Sequence, residues 1–186
     1  MNIVLVSEAA SGKDFTSDIL TNLYGYTRYA FADEVKEVAA RLFPDKYNEI
    51  IKDRKLLQEI GTKMREIDPE VWIKTLFRKI DSVKELNYKG GYAQEVIVVT
   101  DCRLPNEYEA LKKAGYTFIR IVADEDVRKQ RMIDRGDIFT DDDLKHHTES
   151  FYDTFECDYV IENNETEDEL KSEVDRVFNA MKHKES

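Results

Sequence analysis

The sequence predicts an α/β fold with a mainly parallel sheet, and two patterns predict it. Short, continuous apolar runs recur along the chain: Ile3-Val4-Leu5-Val6, Val96-Ile97-Val98-Val99, Phe118-Ile119-Arg120-Ile121-Val122 and Tyr159-Val160-Ile161. Runs of this length, without strict polar alternation, mark strands covered on both faces. Between them lie stretches of helical character, and strands alternating with helices place a chain in the α/β class.

Taken in order, the first run leads through a short loop into a helix from about Lys13 to Leu23. From Asp33 to Leu86 the pattern is almost wholly helical, interrupted near Pro44 and at Asp68-Pro69, which suggests a helical insertion over one end of the sheet. Asn87 to Gln94, with Gly90-Gly91, reads as a loop returning the chain to the second run. A helix from Asn106 to Ala114 follows that run, with Gly115 placed as its C-cap. Further helices are expected over Glu125–Asp134 and Glu167–Met181, and the acidic stretch from Asp137 to His147 lacks periodicity and reads as a mobile loop.

Composition narrows the function classes. A chain of 186 residues suits one domain and can bury a substantial core. With 41% hydrophobic and 36% charged residues it is globular in character rather than disordered. A net charge of −11 argues against a nucleic-acid partner, because phosphate backbones attract a surplus of Lys and Arg. The two cysteines, Cys102 and Cys157, form no CxxC pair, so a reducing compartment, the cytoplasm, is expected and a structural zinc site is not. The apolar start is too short for a signal peptide or a membrane span, so no membrane partner is expected.

The chemistry is concentrated at the ends of the apolar runs. Ser7-Glu8-Ala9-Ala10-Ser11-Gly12-Lys13-Asp14 follows the first strand and opens a helix. It fits the phosphate-binding pattern GxxxxGK[ST] at Gly12 and Lys13; Ser7 stands at the first glycine and Asp14 at the hydroxyl position. A glycine there lets the backbone approach a phosphate, helix N-terminal N–H groups cradle the anion, and Lys13 neutralises it. Asp14 could serve Mg²⁺, directly or through water. An ordinary turn into a helix has the same four residues.

Asp101 closes the second run, where open parallel sheets place their ligands, and Arg103 can offer a bidentate fork to a phosphate two residues later. Asp101 could equally cap the helix that follows. Asn106 and Glu107 either orient Arg103 or begin that helix. Arg128, Arg131 and Arg135 are spaced three and four apart, along one helix face leading into the acidic loop. That spacing suits a clamp on phosphates, and it also suits pairing with Asp124, Glu125 and Asp134. Asp141 to Asp143 read as solvated surface, and His146 and His147 as loop residues without further metal ligands. Trp72, beside Val71, Ile73 and Leu76, reads as a core anchor.

Several segments read together resemble the deoxynucleoside monophosphate kinases of bacteriophages and bacteria. They are Ser11-Gly12-Lys13-Asp14, Phe31-Ala32-Asp33-Glu34-Val35-Lys36, Leu57 to Thr62 with Arg65 and Asp68 to Trp72, Thr100 to Glu107, His147-Thr148-Glu149, and Asp158 to Asn163. They run in the family's order over nearly the whole chain. The resemblance implies one domain over residues 1–186 with a three-layer P-loop kinase fold. Its core would be 1–32 and 95–186, its helical acceptor-binding insertion about 33–94, and its lid about 135–148. It implies ATP and Mg²⁺ as cofactors and a deoxynucleoside monophosphate as acceptor. Ser11, Gly12, Lys13, Asp14, Phe15, Arg128 and Asn163 would then hold ATP, the last through backbone contacts to adenine. Asp14 and Asp101 would serve Mg²⁺. Lys13, Asp101, Arg103 and Arg131 would act in transfer. Asp33, Lys36, Gln58, Arg65, Arg103 and Arg135 would bind the acceptor; Arg54 lies on the same helical insertion, where Lys and Arg can equally be solvated surface charge. A homodimer is left open. Two other readings remain: a kinase of the same architecture acting on another phosphorylated acceptor such as phosphomevalonate, and a non-catalytic nucleotide-binding protein.

Overall fold

The computed structural model describes residues 1–136 and 151–184; the acidic stretch, with Asp141 to Asp143, His146 and His147, lies outside them. The elements in order are β1 (Ile3–Ser7), α1 (Lys13–Tyr24), β2 (Tyr26–Tyr29), α2 (Phe31–Leu42), α3 (Arg54–Ile67) and α4 (Val71–Gly90). They continue with β3 (Val96–Val99), α5 (Pro105–Lys113), β4 (Thr117–Val122), α6 (Glu125–Asp134), β5 (Tyr159–Glu162) and α7 (Glu167–Lys184). The five strands form one sheet in the order β2-β3-β1-β4-β5. β1 pairs in parallel with β3 and β4, and β4 in parallel with β5. Parallel neighbours need crossovers, which the intervening helices supply.

All four apolar runs are strands. In β1, residues Ile3 to Val6 are at most 1% exposed, which is why the run carries no polar alternation. The fifth strand, β2, has no such run. Its sequence Tyr-Thr-Arg-Tyr buries only the two tyrosines, which stand three apart and so point to opposite faces at the edge of the sheet.

The chain divides into two compact units, Met1–Arg28 with Val96–Ser186, and Tyr29–Glu95. In the first, α1 and α7 cover one face of the sheet. Leu20, Val174 and Phe178 meet Ile3, Leu5 and Ile119 in a single apolar cluster. Each such side chain contributes about 1.5–3 kcal/mol through its removal from water. Tyr24 of α1 donates to the Asp175 carboxylate of α7 and packs on Phe178 with ring centroids 4.2 Å apart. Elsewhere Tyr108 of α5 lies against Phe118 at 4.8 Å and stacks on Phe155 at 4.6 Å.

The second unit is helical. Asp53 accepts from Leu56 N–H at 3.0 Å and so caps α3. α2 packs against α3 and α4. Trp72, 3% exposed, is the core anchor its apolar neighbours suggest, and its indole N–H donates to the Gly61 carbonyl at 3.1 Å. Lys79 binds Glu34 at 2.8 Å and Glu37 at 2.6 Å, tying α4 to α2. The loop expected from Asn87 is a correction: α4 continues to Gly90 and ends at Gly91, whose φ of +69° is the left-handed conformation. Tyr92 N–H then returns to the Asn87 carbonyl at 2.9 Å, closing the terminal turn. The second glycine, not the first, stops the helix. Among the described residues no helix is long and apolar enough to cross a membrane.

Candidate functional site

A cavity of about 540 Å³ opens in the first unit at the carboxyl ends of β1 and β3, the position parallel sheets reserve for ligands. Its walls bring together Gly12, Lys13, Asp14 and Phe15 from the first loop and α1, and Asp101 and Arg103 from beyond β3. Arg131 and Arg135, at and just past the end of α6, and Asn163 beyond β5 join them. Nine residues singled out by sequence thus share one cavity, although 151 positions separate the first from the last.

The loop before α1 is held in a shape that few sequences allow. Ser11, 1% exposed, turns its hydroxyl back onto the Glu8 carbonyl at 2.9 Å. Its contribution to a phosphate site is therefore through the backbone, the hydroxyl being spent on the turn. Ala10 and Gly12 both have positive φ, +60° and +99°. Gly12 is the N-cap of α1, and its carbonyl accepts from Thr16 N–H and Thr16 Oγ1, at 2.9 and 3.1 Å. A side chain at Gly12 is excluded twice over: by the backbone angle, and because a Cβ would lie 2.0 Å from Asn163 Nδ2. The first-turn N–H groups of α1 then face a helix end with positive potential.

Lys13 Nζ lies 2.9 Å from the Asp14 carboxylate, whose side chain is 90% exposed. The ammonium beside it holds the Asp14 carboxyl below the usual carboxylate range. Asp101 is half-buried and Arg103 exposed, as a group that must meet a ligand requires. The α5 cap position falls to Leu104 rather than Asp101. Glu107, 3% exposed, uses one carboxylate oxygen to accept from the N–H groups of Arg103 and Leu104, at 2.9 and 3.1 Å. It thereby fixes the backbone that carries Arg103. Burial, with Glu107 and Asp101 nearby, pushes the Cys102 thiol far up, which disfavours its thiolate form.

The three arginines divide. Arg135 is exposed and lines the cavity, and Arg131 is half-buried at its wall. Arg128 is not among the residues that line the cavity. Its side chain is 6% exposed, pairs with Glu8 at 3.2 Å and donates to the Ala9 carbonyl at 3.4 Å. In this arrangement it braces the first loop from beneath. Spacing showed the common helix face, but it could not show that one end of that face is buried.

Asn163 is the residue whose side chain sequence reasoning passed over. It is 5% exposed, donates to the Ser11 carbonyl at 2.8 Å, and accepts from Arg131. Glu8, Thr100 and Tyr152 also line the cavity without having been singled out. The hydroxyls of Ser7 and Thr100 are buried without a hydrogen-bond partner. The available signal for Asn163 was its place directly after a strand end; nothing local distinguishes a buried Asn from a turn Asn.

Among the described residues no three His, Cys, Asp or Glu side chains gather as a metal cluster. Mg²⁺ does not need one. It is held by one or two carboxylates together with phosphate oxygens and water, and Asp14 and Asp101 on one cavity suit that donor set.

Asp33, Lys36, Gln58 and Arg65 belong to the second unit. There Lys36 pairs with Asp33 at 2.8 Å on α2, Gln58 is exposed on α3, and Arg65 is half-buried in the last turn of α3.

Comparison with known proteins gives both a family and a fold. A family model described as deoxynucleotide monophosphate kinase matches residues 45–174, more than half the chain. No curated protein is a significant match. Among solved structures, a protein from Thermus thermophilus superposes with a TM-score of 0.56 at 18% identity, covering 100% of this chain and 98% of the other. Shikimate kinase from Acinetobacter baumannii superposes at 0.53 and 16% identity, covering 98% and 93%. Dephospho-CoA kinase from Campylobacter jejuni does so at 0.50 and 17%, covering 96% of each. At these identities the likeness is one of fold: a P-loop kinase architecture.

Proposed function

Since the chain belongs to the deoxynucleotide monophosphate kinase family, we propose that it transfers the γ-phosphoryl group of ATP to a deoxynucleoside monophosphate, giving ADP and the diphosphate. The observation that carries this reading is the shared cavity. A glycine-lysine loop at a helix N-terminus, a strand-end carboxylate and three arginines face one space large enough for a nucleotide.

Phosphoryl transfer asks the protein for alignment and charge, with little covalent chemistry. The backbone from Gly12 to Phe15 and the Lys13 ammonium would hold the triphosphate. Asp14 and Asp101 would hold Mg²⁺, which when bound neutralises charge on the phosphates. Arg131 and Arg135 would meet the charge spread over the group in flight, and Arg103 would take the acceptor's phosphate with a bidentate fork. Lys36 and Arg65, with Asp33 and Gln58, are proposed acceptor residues from the helical unit. Direct transfer without a covalent enzyme intermediate is proposed, since burial disfavours the Cys102 thiolate and the sequence shows no nucleophile-base arrangement.

The test is an assay of ADP release with Mg-ATP against dAMP, dGMP, dCMP, dTMP, their ribose forms and phosphomevalonate. Turnover on one or more deoxynucleotides is expected. Turnover on phosphomevalonate alone would keep the kinase and overturn the acceptor. Silence on every acceptor would overturn the catalytic reading.

A further inference from the structure

Two parts of the cavity that must act on the same phosphates, the loop before α1 and the arginine at the end of α6, converge on one buried amide. The main-chain N–H of Asn163 donates to the Val122 carbonyl at 2.8 Å, which fixes the residue to the end of β4. Its side-chain Nδ2 donates to the Ser11 carbonyl at 2.8 Å. Its own carbonyl accepts from Arg131 Nη1 at 3.0 Å, and its Oδ1 from Arg131 Nη2 at 3.2 Å. The space taken by Nδ2 is the space a Cβ on Gly12 would need.

These contacts have directional consequences. A trans peptide is planar and points its N–H opposite its carbonyl, so the bond to Ser11 fixes the direction of the Gly12 N–H. A guanidinium has five N–H donors in a rigid fork, so two bonds to one residue set the plane of Arg131 and leave the remaining donors at defined angles. Burial raises the cost of leaving either arm unmade.

We propose that Asn163 is a positioning residue for phosphoryl transfer, holding the phosphate loop and Arg131 in register so that a phosphate seated on the loop meets the guanidinium at a set distance. The proposal rests on the ATP-kinase reading above and adds to it a residue that acts through two others. It also gives the side chain at 163 a role that contact with adenine through the backbone would not require.

The experiment is a double-mutant cycle on the full chain, preceded by titration of the wild-type protein with the Mg²⁺ complex of the β,γ-imido analogue of ATP. Arg131→Ala is expected to lower kcat by about 10²–10³-fold in the wild type, as loss of a transition-state donor does. In the Asn163→Ala background the main-chain carbonyl still holds Arg131 Nη1, but the Oδ1 contact that sets the guanidinium plane is gone, so the same change is expected to cost at least about threefold less than in the wild type. Asn163→Asp keeps oxygens toward Arg131 but has no N–H for the Ser11 carbonyl. It is expected to weaken analogue binding by about tenfold, the worth of one buried hydrogen bond, while kcat stays sensitive to Arg131→Ala. An equal loss from Arg131→Ala in both backgrounds would overturn the proposal, as would wild-type affinity in Asn163→Asp. If Asn163→Ala fails to melt cooperatively, the Asn163→Asp arm decides alone. Failure of the wild type to bind the analogue would overturn the nucleotide reading itself, and shows before any variant is made.

Discussion

At the scale of single residues, Gly12 is the most constrained position of the site. A Cβ there would sit at φ +99° and 2.0 Å from Asn163 Nδ2, both of which must be relieved by moving the loop. Gly12→Ala is therefore expected to cost about 1–3 kcal/mol from the backbone angle alone and to abolish ATP binding. Thermal melting and nucleotide titration check the two effects separately. Lys13→Ala should behave in the opposite way. Lys13 packs no core and its one ion pair is with an exposed carboxylate, so melting should change little while turnover falls by about 10²-fold or more. Arg103→Ala should raise the acceptor KM and leave that of ATP in place, since Arg103 follows β3 and is carried by neither the loop nor α1. Gly12, Lys13, Asp101 and Arg103 were legible because their chemistry is local: a loop after a strand, a carboxylate at a strand end. The side-chain roles of Asn163 and Glu8 were not, because each is defined by a partner more than a hundred residues away.

At the scale of elements, the strand runs and most helices could be read directly, since a strand buried on both faces leaves no room for polar alternation. β2 escaped for the complementary reason: its two buried tyrosines are separated by Thr27 and Arg28, so it shows no continuous run. α4 was cut short because Gly90-Gly91 looks like a break, whereas only a glycine at positive φ ends a helix, and that is Gly91. The start of α5 carries a functional load in the same physical terms. Glu107 satisfies two N–H groups that would otherwise be buried and unpaired at the turn that bears Arg103. Glu107→Ala is expected to cost about 1–3 kcal/mol, seen as a lower melting temperature, and to raise the acceptor KM as the Arg103 backbone loosens. A variant that melts lower with an unchanged acceptor KM would leave Glu107 a helix cap and nothing more.

At the scale of the whole molecule, a chain of net charge −11 sets Lys13, Arg103, Arg131 and Arg135 on one cavity beside six carboxylates, Glu8, Asp14, Asp101, Asp134, Glu165 and Glu167. A phosphate there would be held by contact with those four cations and by Mg²⁺ rather than by a positive field over the whole cavity. The first unit is also joined across its sequence by Tyr24 and Asp175, which link α1 to α7. Burial, the hydrogen bond to Asp175 and its charge push the Tyr24 hydroxyl up to about 12 from its ordinary 10. The protonated form is the one the fold favours. The stability it adds is therefore complete below pH 10 and is lost as pH rises through about 12. Melting followed from pH 9 to 12 should show a smaller alkaline decline in Tyr24→Phe than in the wild type (about pH 10 is where the curves should begin to diverge). The clamp from Asn163 to Ser11 has a consequence of another kind, in time rather than in space. Its two ends are 152 positions apart, so the phosphate loop is synthesised well before the amide that locks it. On the proposal above, the loop takes its binding shape only after β5 has docked on β4, and nucleotide binding follows the assembly of the sheet rather than guiding it.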